Sequence, residues 1–527
     1  MRPTFLGFET GRKAIMASQK GLDITGHNVA NAENPNYTRQ RVDVYSVYPY
    51  CSGYRYSTGV KSVAGQGVGI SGIGQVRDPF LDNHFRMEYQ EFSKLDTMAG
   101  GLSQIEDVFD EVTSKHFTEN LDEMFVQLQK FSKDADRPEF ANILVSKSKE
   151  LTFIFNTYAK DLAKTQQKQK YELDNQVAKA NDILKKIASL NRDIRDEYVA
   201  ISLGSHSTLG PRINEKYGPN ELLDDRNALL DELSSLVNIE VKPQDDGTVN
   251  VTMGDVSLID KFEAGEFTIT PAEGQPIDFS TEFKITFTGK KTDGTAANDL
   301  DVVANNCLEA GELKGYMQIL TGKGDYADTA QGENNTFQGL PYYMEVINSF
   351  ARTFADAFNN ANKVSVPGAM ELFTFDPDKE PHSAANIRVN PDWIADPLGG
   401  LQSGLNPDAG DSFNNNILAM IKVFDDKLDF ARPNGTNEFQ GTFKEYIKYY
   451  TGKLGQDVSF HAGLAKNRGM VSSQVDDNRL SVSSVDLNDE GTNMMMYQKA
   501  FNAASRFVTV LDQALDTIIN NMGIVGR

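Results

Sequence analysis

Gly67-Val68-Gly69-Ile70-Ser71-Gly72 is the stretch whose spacing comes nearest to a chemical device, the glycine loop that cradles a dinucleotide pyrophosphate. That chemistry needs a strand before the glycines, a helix opening among them and an acidic residue about 20 positions on for a ribose hydroxyl. Glu88 and Glu91 lie near that distance, but in a polar stretch of helical spacing with no second buried strand beside it. A glycine-rich β link is the better reading; a cytoplasmic nucleotide-binding oxidoreductase stands as the alternative, testable by nucleotide titration. The histidines His27, His84, His116, His206, His382 and His461 are never three or four apart, and none neighbours a cysteine, so spacing assembles no zinc site. Asp408-Ala409-Gly410-Asp411 and Asp476-Asp477 lack the spacing of a calcium loop. No P-loop, G-x-S-x-G or H-E-x-x-H occurs. The sequence therefore predicts no enzyme, no cofactor and no metal.

The strongest pattern is instead a pair of apolar stripes at the two ends. From Met494 to Met522 apolar residues alternate at three and four: Met494, Tyr497, Phe501, Ala504, Val508, Leu511, Leu515, Ile518 and Met522. This is a heptad seam uninterrupted by Gly or Pro. A softer seam near the other end alternates large and small residues, Phe8, Gly11, Ile15, Ser18, Leu22, Thr25 and Val29. Each long helix needs an apolar partner, and the two supply it to each other or to copies of themselves. The pattern points to assembly rather than chemistry.

Bulk properties agree. The chain has 527 residues, too many for one core. Its net charge of −22 disfavours nucleic acid and anionic membrane as partners. Residues 1–50 hold six basic and four acidic side chains, and residues 484–527 three and five, so the ends balance and the middle carries the whole excess. Cys51 and Cys307 alone make no disulfide framework. The first 24 residues lack the apolar core and cleavage site of a secretory signal, and no run approaches the ~18 apolar residues of a membrane span.

The elements that follow are helix over 3–31, a turn at Asn34-Pro35-Asn36, a glycine-rich β link over 38–76 and mainly helix over 78–200 with a break at Pro138. Leu173, Val177, Ala180, Leu184, Ile187 and Ile194 continue the heptad spacing, with Asn191 at the remaining seam position. Glu221–Leu236 reads as helix, and Asp245-Asp246-Gly247 as a hairpin turn opening a β region over 239–305. Helices follow at 309–322, 340–362, 413–427 and 440–483, the last broken near Gly452–Gly455, and a loop-rich insertion fills 366–412. The final helix opens at Asn488, where Asp489 and Glu490 suit its positive end. The fold class is mainly α with inserted β: paired, coiled-coil-like terminal helices, a long helical-bundle body and a smaller β-rich outer domain. The expected division is 1–55 with 485–527 as a terminal assembly domain, 56–238 with 309–365 and 413–484 as the helical body, and 239–308 with 366–412 as the outer β-rich region.

Gly21–Val44, GLDITGHNVANAENPNYTRQRVDV, resembles the N-terminal signature of bacterial flagellar rod, hook and hook-associated proteins, with Asn28, Asn31, Pro35 and Tyr37 as its motif residues. Asn36–Gln40 is similar to the Gly-Tyr-Ser-Arg-Gln form found in the hook-associated protein 1 family, with Asn36 replacing a glycine that tolerates positive φ. Asn220-Glu221-Leu222-Leu223-Asp224-Asp225-Arg226, Gly311–Gly315 and Phe354–Asn359 resemble further segments of that family, as does Ser484–Phe501. The resemblance implies a structural junction subunit of the flagellum, extracellular and exported without a cleaved signal. It implies as partners further copies of itself, the flagellar hook protein, hook-associated protein 3 and an export chaperone. It also implies a reduced outer region at 376–412. Phe8, Ile15, Leu22 and Val29 with Met494, Tyr497, Phe501, Val508, Leu511, Leu515, Ile518 and Met522 are the expected assembly interface. Another axial protein, the hook protein or hook-associated protein 3, and a soluble coiled-coil scaffold are the remaining alternatives.

Overall fold

Apolar residues at helical spacing make long helices, and these set the frame. The computed structural model describes residues 6–47, 67–109, 116–204, 217–327 apart from 273, 276 and 280, 335–376, 382–405, 414–431 and 437–521. In chain order the helices are α1 (Leu6–Ala30), α2 (Pro79–Phe109), α3 (His116–Phe131), α4 (Pro138–Gly204), α5 (Asn220–Leu236), α6 (Glu312–Thr321), α7 (Leu340–Asn362), α8 (Pro391–Ala395), α9 (Pro397–Gln402), α10 (Asn415–Val423), α11 (Phe443–Ser483) and α12 (Leu487–Asp516). The 67 residues of α4 span about 100 Å at 1.5 Å each. Its heptad line is buried throughout, Asn191 included. The chain is mainly α with an inserted sheet, as its periodicity indicates.

Helices α2 and α11 run antiparallel as the spine of the body: Gly469 lies against Phe92, and Arg468 reaches Glu88 at 2.9 Å. α11 opens on a capping box, with Thr442 and Glu445 each bonding the other's backbone N–H. It runs through Gly452 and Gly455 without the expected break. A helical glycine costs about 1 kcal/mol, and burial of Tyr450 and Leu454 on either side holds the helix together. At its start Phe443 and Tyr446 join Phe350, Phe354, Phe358 and Phe430 in an aromatic core, with ring centroids of Phe430 and Tyr446 4.1 Å apart.

The inserted sheet has seven antiparallel strands: β3 (Glu240–Pro243), β4 (Val249–Met253), β5 (Val256–Asp260), β6 (Glu263–Ala264), β7 (Glu266–Thr270), β8 (Lys284–Lys291) and β9 (Ala296–Asp301). The order is β3-β4-β5-β8-β7, with β6 on β5 and β9 on β8. The β3–β4 turn falls where Asp245-Asp246-Gly247 places it, with Gly247 at φ +81° and Asp246 accepting from the Thr248 N–H and hydroxyl. The described residues of 366–412 do not join this sheet. Their strands β10 (Phe373–Phe375) and β11 (Ile387–Val389) pair with each other, and Phe373, Trp393 and Leu401 bury beside α4 and α7. Their apolar side chains belong to the helical core rather than to an outer layer. A further hairpin, β12 (Leu428–Ala431) with β13 (Asn437–Gly441), lies where the sequence suggests only a connection. The N-terminal hairpin, β1 (Gln40–Ser46) with β2 (Val68–Gln75), crosses the expected boundary at residue 55.

A buried polar knot is among the contacts that join body and sheet. The Arg226 guanidinium on α5 donates to Asn191 Oδ1 at 3.0 Å and to the Gly247 carbonyl at 2.8 Å. Asn191 in turn donates to the Val249 and Lys261 carbonyls and accepts from the Val249 N–H. Burial pushes the Arg226 guanidinium below its usual range. Removing one partner of such a knot strands the others at about 1–3 kcal/mol. Arg226→Ala should therefore lower the thermal midpoint of the body, measured by calorimetry; an unchanged midpoint would contradict this role.

Candidate functional site

The terminal helices lie antiparallel, and their contact is built from unequal partners. Tyr497 lies over Gly21, Val508 over Gly11 and Leu511 over Gly7. A methyl group on Gly11 would stand 2.6 Å from Val508, and one on Gly21 equally close to Tyr497. Glycines on α1 thus let two backbones approach where α12 supplies the bulk. Gly11, Ser18, Gly21, Ile24, Thr25 and Asn28 are buried on α1, but on α12 only Glu490 and Ala504 are, among the described residues.

Each expected interface residue except Met522 has a definite place. Phe8, Ile15 and Leu22 are half-buried, as are Tyr497, Phe501, Val508, Leu511 and Leu515. Val29 and Met494 are exposed, at 38% and 40%. Asn493 turns inward beside Met494, so the seam shifts by one residue at that end. Ile518 is 49% exposed in the π-helical turn Thr517–Asn521. Met522 lies outside the described residues, as do Cys51, His206 and Asp408–Asp411.

The signature residues form a clamp below this pair. Asn28 is 1% exposed and makes three hydrogen bonds: Nδ2 donates to the Gln40 carbonyl at 2.9 Å, and Oδ1 accepts from the Gln40 N–H at 3.1 Å and the Tyr37 hydroxyl at 2.7 Å. It thereby folds β1 back along α1. Burial pushes the Tyr37 phenol up, and the nearby carboxylates add to that. Asn31 donates to the His27 carbonyl and closes the helix end, and Pro35 sits exposed in the turn. Asn36 does not take a left-handed backbone conformation. The turn therefore closes without the positive φ that a glycine would favour there; the Asn36 N–H instead bonds the Asn34 side chain at 3.1 Å.

Two further contacts tie the clamp to the rest of the chain, and the sequence alone assigned neither. The Thr38 N–H and hydroxyl donate to Asp224 on α5 at 3.0 and 2.6 Å, and Gln75 on β2 donates to the same carboxylate at 2.8 Å. Burial pushes the Asp224 carboxyl up, while the Thr38 bonds and nearby Arg77 oppose that rise. Arg39 meets Glu490 at 2.8 Å, and its N–H donates to the Ser483 carbonyl, so the signature strand grips the α11–α12 corner. Glu490 is 2% exposed, so it serves a buried ion pair rather than an exposed helix end. Breaking such a pair from one side costs about 3–5 kcal/mol. The signal for both lay in the resemblance at Thr38–Gln40 and Asn220–Arg226, which carried no spatial pairing.

The Gly67–Gly72 stretch does no nucleotide chemistry of the dinucleotide-fold kind. It runs into an antiparallel strand, no helix opens within it, and Tyr45 and Tyr217 fill the space against Gly69 and Gly72. Among the described residues no three His, Cys, Asp or Glu side chains are grouped to hold a metal ion. Among them, too, no helix is long and apolar enough to cross a membrane.

Known proteins are similar to this chain in sequence over most of its length. The family model for the flagellar hook-associated protein FlgK helical domain matches residues 102–367, the end of α2 through α7. That for the flagellar basal body rod FlgEFG protein C-terminal region matches 477–522, the α11–α12 corner and α12. Flagellar hook-associated protein 1 of Bacillus subtilis is 28% identical over the whole of both chains. The Escherichia coli protein of that name is 25% identical over 66% of this chain and 55% of its own length. A solved structure, of the flagellar hook junction protein FlgK from Burkholderia pseudomallei, covers 56% of this chain and 47% of its own at 18% identity and a TM-score of 0.43, too distant to bear on the assignment. With half its length under the helical-domain model, the chain belongs to the flagellar hook-associated protein FlgK family, structural proteins built into the axis of the bacterial flagellum.

Proposed function

We propose that this chain forms the junction layer between flagellar hook and filament, polymerising through α1 and α12. The observation that carries this reading is the half-finished burial of the terminal pair. A large apolar side chain contributes about 1.5–3 kcal/mol when fully buried, and ordering a residue costs about 1–2 kcal/mol. On the 25 and 30 residues of α1 and α12, most seam side chains remain only half-covered within one subunit. Neighbouring copies supply the missing cover. The residues of this interface are Phe8, Ile15 and Leu22 with Tyr497, Phe501, Val508, Leu511 and Leu515, and the clamp of Asn28, Tyr37, Thr38 and Asp224 sets the angle at which the pair leaves the body.

Residues 1–55 with 485–527 act as the assembly unit, extended to take in β2. The helices α2 to α7 with α10 and α11 act as the body, and residues 239–308 as the outer region, whose surplus of acidic residues suits a solvated position. The partners are copies of itself, the hook protein on one side and hook-associated protein 3 on the other. The chain works outside the cell, exported without signal cleavage, and an export chaperone covers the α12 stripe beforehand.

Leu511→Asp should leave the unfolding of the body unchanged yet stop incorporation at the hook tip; filaments of normal length on that variant would refute the reading. Gly11→Leu should act likewise by forcing α1 from Val508, and electron microscopy of immunolabelled hook tips would record an occupancy well below that of the parent chain. Removal of residues 488–527 should abolish capture of the chain by its export chaperone in a pull-down, and undiminished capture would place the chaperone site elsewhere.

A further inference from the structure

The α1–α12 pair has two unlike flanks. With successive residues 100° apart on a helix, Met496, Ala500, Ala503, Phe507, Val510 and Ala514 lie about 80–160° round α12 from Val508, all on one side. They repeat at four and three residues, as the inner seam does. Met496 is 53% exposed, Phe507 45% and Val510 61%, and the three alanines are exposed as well. The opposite side of α12 is mostly polar, with Asn502, Thr509 and Gln513, and carries Met495, 57% exposed, near the start of the helix. This outward stripe continues the interface within the subunit, because Phe507 also borders Gly11.

The other flank of the pair carries a groove. Phe8, Ile15, Met16 and the ion-paired Glu9 and Arg12 of α1 line it with Val508 of α12, around a space of about 460 Å³, and Met16 is 51% exposed. Stripe and groove stand at one height on the pair, since Phe507 and Val508 are adjacent, and face opposite ways. Charge follows the same division. Lys499 and Arg506 border the stripe, Asp512 and Asp516 lie on the groove side, and all four are exposed.

We propose that the α12 stripe of one copy, centred on Phe507 and Val510, docks into the Phe8–Ile15–Met16 groove of a second copy, head to tail. The inference rests on the assembly reading above and names which surface meets which. A two-fold contact of stripe on stripe leaves every groove open, whereas the head-to-tail contact covers both surfaces. It also carries Arg506 of one copy, beside Phe507, towards Glu9 in the groove and Asp512 on its flank in the next, between ends that carry no net charge. Such a contact repeats until a ring closes or a helix continues. The seam of Tyr497, Val508 and Leu511 holds one subunit together, and the second stripe joins subunits.

Cysteine cross-linking on assembled hooks tests this. In a Cys51→Ser background, where Cys307 is buried, Glu9→Cys with Val510→Cys, which stand at one level along the pair, should give a ladder beyond dimers on oxidation, and neither single variant should cross-link. Dimers from Val510→Cys alone would reveal stripe-on-stripe contact and overturn the proposal. So would the absence of cross-links in a double variant that immunolabelling places at the hook tip, and that outcome would leave the assembly reading standing. A Cys51→Ser chain that folds but never reaches the hook tip would sink the assembly reading itself, and this proposal with it.

Discussion

Close approach of α1 and α12 is the constraint on which the rest depends. Gly7, Gly11 and Gly21 give α1 a side without bulk, and Leu511, Val508 and Tyr497 fill it. The match is antiparallel and runs almost the length of α1, so it brings the first and last described helices of the chain into register. Everything between must leave from one end of this pair and return to it. The β1–β2 hairpin and the α11–α12 corner make that return, held by Arg39 on Glu490 and on the Ser483 carbonyl.

The short helix α5 is where the three regions of the molecule meet. Within a single turn it presents Asp224 to the signature strand and Arg226 to the sheet, two residues apart and to different sides. Arg86 on α2 and Arg479 on α11 both reach Asp231 farther along the same helix, at 2.7 and 2.5 Å, and Arg479 also covers the Phe85 ring. Asp231 is partly buried with two arginines, whereas Arg226 is buried against a neutral amide and a carbonyl; both arrangements set geometry more than they add stability. The terminal pair is thus tied to the body through directional hydrogen bonds and ion pairs.

Much of this was legible from spacing. The heptad line of α4 from Leu173 to Ile194 is buried as its periodicity requires, and the Asp246-Gly247 turn lies at its residues. Errors came where two physical terms compete. Gly452 and Gly455 carry a local cost that burial of Tyr450 and Leu454 outweighs. On α12 two adjacent lines are apolar, so spacing alone did not tell Asn493 from Met494 as the inward residue, nor the inner seam from the outward stripe. Phe373, Trp393 and Leu401 sit among Pro, Asp and Gly, which hid their part in the helical core. The Arg39–Glu490 pair joins residues 451 apart, a distance over which local pattern carries no signal.

The central claim is that α1 and α12 are only partly settled within one subunit and become fixed when neighbours cover them. Amide hydrogen exchange over residues 6–30 and 487–516, compared between the isolated chain and the chain on hooks, measures this directly. The account predicts fast exchange of both helices in isolation, against slow exchange in α4, and strong protection of all three after assembly. Protection of α1 and α12 in the dilute monomer equal to that of α4 would contradict it.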